Sequence, residues 1–196
     1  MKAFAIAAFF AAGATMAPAA TVATGSTLVG DTGGINAEGA AVNYGAAVFG
    51  GLTMDPTDPA SVWVWANNGA TPDTPVFEFE FDMAGFDVST AALEGQWAVD
   101  NNAWAYLNGT LIASLTGTVV DNFNFLHDYG TSDASLFNAG LNTLRFEAED
   151  LGGFEAFRAS VTVSADALAP VPLPASALLL LLGVGGLGAI RRRSIL

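Results

Sequence analysis

The strictest pattern in the chain runs over seven residues, Val76-Phe77-Glu78-Phe79-Glu80-Phe81-Asp82. Successive side chains of an extended strand point to opposite faces, so Phe77, Phe79 and Phe81 share one side and Glu78, Glu80 and Asp82 the other. The pattern predicts a strand with one buried and one wet face. Residues 142–148 alternate likewise, with Leu144, Phe146 and Ala148 inward and Arg145 and Glu147 outward. Phe157, Ala159, Val161 and Val163 predict the inner face of a last strand, with Arg158 opposite. Val62-Trp63-Val64-Trp65 and residues 97–99 read as two further strands, since β-branched and aromatic residues suit a pleated surface.

Residues 103–113, AWAYLNGTLIA, carry a turn signal inside an apolar pattern. Asn108-Gly109 between two β-prone runs predicts a two-residue hairpin, because a type I′ turn needs positive φ at both central positions. That loop pairs Leu107 with Thr110 and Tyr106 with Leu111, and predicts one shared face for Trp104, Tyr106, Leu111 and Ala113. No repeat and no long helical period occur; residues 89–93 form at most a short turn. Short strands separated by Gly, Asn and Asp predict an all-β body: a single jelly-roll-like antiparallel β-sandwich over residues 21–169.

Charge divides the chain differently. Its 196 residues hold six basic and nineteen acidic side chains, a formal charge of −13. Lys2, Arg191, Arg192 and Arg193 stand near the ends. Only Arg145 and Arg158 share the body with all nineteen carboxylates, giving it a net −17. Such a body is repelled by nucleic acid and by anionic lipid. It has no cysteine, so its stability comes from a core without disulfides.

Lys2, the apolar run over residues 3–12 and the small residues after it have the layout of a secretory signal peptide over residues 1–20. Ala17-Pro18-Ala19 places cleavage near Ala19 or Ala20, with Ala23 as a second site. Residues 176–190 are uncharged, and Arg191, Arg192 and Arg193 follow at once. A cationic cluster beside an apolar segment stays cytoplasmic, so the triplet reads as a stop-transfer signal for a C-terminal transmembrane helix. Pro170, Pro172 and Pro174 make the preceding stretch a poor helix.

Val171, Pro172, Leu173, Pro174 and Ala175, then a short apolar helix and an Arg cluster, resemble the PEP-CTERM protein-sorting signal in its VPLPA variant. The resemblance covers residues 170–196. It implies an exported protein of a Gram-negative bacterium, held in the membrane by the helix and then cut near the motif by an exosortase-type membrane protease. A second resemblance lies in the body. Trp97 with Asp100-Asn101-Asn102, then Leu107-Asn108-Gly109, then Phe137 with Gly140-Leu141-Asn142 and Leu144, resemble galactose-binding-like jelly-roll modules. That fold hosts sugar binders, other binders and structural modules.

Candidate chemistry is sparse. The single histidine, His127, lacks any G-x-S-x-G partner motif and reads as a satisfied strand or loop residue. Chance pairs among nineteen carboxylates give a weak case for glycoside hydrolysis. Asp100 and Asp121, at expected strand ends, are candidate ligands of a structural calcium, although no contiguous calcium-loop pattern occurs and Asp100-Asn101 reads first as a turn. Trp63 with Trp65 and Trp104 with Tyr106 are two ring pairs, each suited to a core or to a sugar platform. Tyr44 and Tyr129, in Gly-rich surroundings, are expected to be exposed. The leading expectation is an exported, non-catalytic surface or matrix protein that needs no cofactor. A carbohydrate-binding module for the cell's own exopolysaccharide and a glycosidase-like enzyme are the alternatives.

Overall fold

The computed structural model describes residues 19–39, 41–43, 61–66, 74–117, 119–153 and 155–169. Most of the expected signal peptide, the whole C-terminal sorting segment and Tyr44 lie outside these residues. The described residues form β1 (Ala20–Thr27), β2 (Gly34–Ala37), β3 (Ala41–Asn43), β4 (Val64–Ala66), β5 (Val76–Asp82), β6 (Phe86–Asp100), β7 (Asn102–Leu107), β8 (Thr110–Leu115), α1 (Val119–Asn124), β9 (His127–Thr131), β10 (Leu141–Glu149) and β11 (Ala156–Ala167). The architecture is an all-β, jelly-roll-like sandwich.

One sheet places β11 at its centre, between β6 on one side and β1 and β4 on the other; β9 flanks β6 and β3 flanks β4. The second sheet runs β2-β5-β10-β7-β8. The sheets meet at a corner where β1 and β2 pair in parallel over Ser26 opposite Gly34 and Thr27 opposite Ile35. Every other pairing among the described residues is antiparallel.

The predicted inner faces meet in the core. Phe77, Leu144, Phe146, Ala148, Phe157, Ala159 and Val163 are fully buried. Phe77 of the second sheet stacks on Phe157 of the first with centroids 4.5 Å apart, and Phe146 lies 5.3 Å from Phe157. Trp97 reaches Phe146 at 6.0 Å and Tyr129 at 5.2 Å. Offset and edge-on ring pairs of this kind add to the apolar area they bury.

The hairpin forms with both central residues at positive φ, Asn108 at 50° and Gly109 at 84°. Leu107 pairs with Thr110 and Tyr106 with Leu111. Beyond Tyr106 the register shifts by one residue, so Ala105 faces Ala113 and Trp104 faces Ser114. The extra residue, Ile112, turns Ala113 to the inner side. Trp104, Tyr106 and Leu111 keep their shared outer face, and Ala113 leaves it.

Three other expectations change. Residues 89–93 lie within the long strand β6, not a turn. Their polar signal has a local cause: Asp87 accepts from Ser89 N at 2.9 Å, and Thr90 Oγ1 accepts from Asp166 N at 2.8 Å, where the β6–β11 register shifts. Tyr129 is buried, with its hydroxyl donating to the Ser160 carbonyl at 2.8 Å. Its partner across the strands is Gly95, where an added Cβ would lie 2.6 Å from the Tyr129 hydroxyl. Trp63 and Trp65 divide between two clusters. Trp65 joins the main core beside Phe77, whereas Trp63 packs on Ala98 and Ala156. Arg158 stands opposite the inner face as expected, yet that position is covered and its side chain is 1% exposed.

Candidate functional site

The residues behind the jelly-roll resemblance hold the frame together. Asn142 is buried, and its amide donates to the carbonyls of Asn138 at 2.9 Å and Gly140 at 2.7 Å. Its Oδ1 accepts from Asn138 N at 2.7 Å and from Asn108 Nδ2 at 2.8 Å. Asn108 also donates to the Leu136 carbonyl and accepts from Thr143 N, tying the hairpin tip to β10. At the opposite end, Asn101 is the single residue between β6 and β7, and its Oδ1 accepts from Leu151 N at 2.6 Å. These amides satisfy backbone groups in turns and loops and leave little capacity for a ligand.

Asp100 and Asp121 end in different settings. Asp100 closes β6, is buried, and accepts from the Asn101 amide. Desolvation by burial, with the Asp150 charge next, pushes its carboxyl up to about 6. Asp121 is exposed on α1, whose Asn122 donates to the Asn101 carbonyl at 2.7 Å. Among the described residues no group of three or more His, Cys, Asp or Glu side chains converges as metal ligands. His127 opens β9, with Nε2 2.9 Å from the Asp121 carbonyl oxygen.

An open polar surface lies on the outer side of the second sheet. Ala103, Ala105 and Leu107 fill the inner side of β7, so alternation turns the half-buried Trp104 and Tyr106 outward. Register aligns one row across five strands: Asn36 on β2, Glu78 on β5, Arg145 on β10, Tyr106 on β7 and Leu111 on β8. A second row places Val76, Glu147, Trp104 and Ser114 side by side. Beside them lies an open groove of about 830 Å³ lined by Asn36, Glu38, Glu78, Glu80 and Arg145. Arg145 is held between carboxylates, with Nη1 bonded to Glu147 and Nε 3.8 Å from Glu78. The sequence pairs Trp104 with Tyr106 through simple alternation, but their alignment with Arg145 and Glu78 comes from a register that no local pattern encodes.

The tail adds evidence of another kind. Residues 170–193 match the family model described as the PEP-CTERM protein-sorting motif. This sorting motif accounts for the proline-rich stretch, the apolar segment and the Arg triplet, and covers none of the body. No curated protein matches this chain. Among solved structures, a family 35 carbohydrate binding module from an environmental isolate is similar at 15% identity and a TM-score of 0.42, over 77% of this chain and 98% of that one.

Proposed function

We propose that this chain is an exported, non-catalytic protein of a Gram-negative cell surface or extracellular matrix. In this reading residues 1–20 direct export. The apolar helix and Arg191, Arg192 and Arg193 hold the chain in the membrane with the body outside. An exosortase-type membrane protease then cuts near Val171-Pro172-Leu173-Pro174-Ala175 and releases or transfers the acidic sandwich. The match of residues 170–193 to the sorting motif carries the proposal. Intact-mass spectrometry of protein recovered from the cell surface tests it. The expected mass lacks the tail, and replacing the three arginines with glutamine weakens membrane retention. A mature protein that keeps residues 176–196 in a strain with active processing overturns the cleavage.

A second reading assigns carbohydrate binding to the body. It is favoured by the outward Trp104 and Tyr106, which stand beside Glu147 and Arg145, with Glu78 on the strand beyond.

A further inference from the structure

We infer that the outer face of the second sheet binds an uncharged polysaccharide strand laid across β2, β5, β10 and β7. The inference rests on the carbohydrate reading and gives it a site and a ligand class. Strands about 4.8 Å apart carry the row from Asn36 to Tyr106 over roughly 14 Å, an elongated footprint suited to a linear polymer. Trp104 and Tyr106, two residues apart on one strand, stand on the same face with backbone positions roughly 7 Å apart. Each ring offers an apolar face to sugar C–H groups. The Arg145 guanidinium supplies donors, Glu78 and Glu147 supply acceptors, and Asn36 supplies both to the hydroxyl rim.

The same chemistry disfavours other occupants. Among the described residues, Ala37 and Val76 are the only apolar ones lining the groove, so a peptide finds no pocket there for a buried anchor. Glu38, Glu78, Glu80 and Glu147 outnumber the one guanidinium, and this repels polyuronates and nucleic acid. Arg145 already spans two of the carboxylates, so it is not a free anion site.

The test is affinity electrophoresis of the full chain in mild detergent. Gels contain neutral glucans, mannans and galactans, chitosan as the basic glycan, or polygalacturonate as the acidic one. Expected is retardation by at least one neutral polysaccharide, unchanged in about 1 M NaCl, where the Debye length is only about 3 Å. Trp104→Ala and Tyr106→Ala should each weaken binding about tenfold, near 1.4 kcal/mol. Gln96→Ala on the opposite sheet should leave binding intact. Trp104→Phe, which keeps a ring in the same place, should retain most of it and guards against misfolding of the alanine variant. No retardation by any glycan overturns the carbohydrate reading itself. Retardation by chitosan alone, abolished by salt, or by polygalacturonate alone leaves that reading standing and overturns the uncharged ligand. Full retardation of folded Trp104→Ala and Tyr106→Ala proteins overturns the site.

Discussion

The sandwich has two outer faces built by the same alternation, and they are covered differently. On the first sheet the outward positions of β6 and β11 include Glu94, Gln96, Ala98, Arg158, Ser160 and Thr162. Trp63, Phe123 and Leu126 close over Ala98 and Ala156, and the buried Arg158 donates from Nε to Ser61 Oγ at 2.7 Å. A groove of about 450 Å³ stays open there, in which Gln96 bonds Asp128 at 2.9 Å and, among the described residues, no outward ring stands. On the second sheet Trp104 and Tyr106 stay half-buried, and the groove beside them is larger. Under the binding proposal, the outward tryptophan is structural where neighbours seal it, as at Trp63, and serves a ligand where it stays half-exposed, as at Trp104. Polarity of the strand alone does not distinguish the two.

The sharpest way to break this comparison is to truncate both tryptophans. Trp63→Ala should destabilise the domain by about 3–5 kcal/mol, because a buried ring leaves a cavity over Ala98 and Ala156. Trp104→Ala should cost about 1 kcal/mol in stability and act mainly on binding. Urea unfolding of the two variants measures the difference, and equal losses would erase the distinction between the faces.

A smaller effect tests the hairpin that carries Trp104 and Tyr106. Gly109 has φ 84° and no atom near an added Cβ, so a side chain there meets backbone strain alone. Gly109→Val should cost about 1–3 kcal/mol, read as a lowered melting temperature. Gly109→Asn, which tolerates left-handed backbone, should recover most of the loss. An unchanged melting temperature for the valine variant would argue against the positive-φ turn.

The third effect belongs to the covered side of the molecule and appears through pH. Asp100 is held protonated up to about 6, against an ordinary value of 3.8. The folded state therefore binds this proton more tightly than the unfolded chain does. The stability it contributes is full below about pH 4 and is lost as pH rises to about 6. Asp100→Asn should flatten that slope and raise the melting temperature at neutral pH, with little effect below pH 4. A melting series from pH 4 to 8 on both proteins decides it. The smallest effect is expected on the open face, where Glu80→Gln should change stability by less than about 0.5 kcal/mol.

Much of this molecule was legible along the chain. Phe77, Phe79, Phe81, Leu144, Phe146, Phe157 and Val161 are core residues because a period of two, once one face is apolar, leaves one way to bury it. Asn108-Gly109 set the hairpin register at its tip because positive φ at both positions admits few other turns. The sorting tail was readable because its signal is linear. Tertiary structure alone decided the rest. The bulge at Ile112 moved Ala113 inward, the absent side chain of Gly95 let Tyr129 sink against Trp97, and residues distant in sequence sealed Trp63 and Arg158. The row from Asn36 through Glu78 and Arg145 to Tyr106 joins four segments spread over more than a hundred residues. Alternation states which way a side chain points; what covers it, and what stands beside it on the next strand, follows only from how the sheets close.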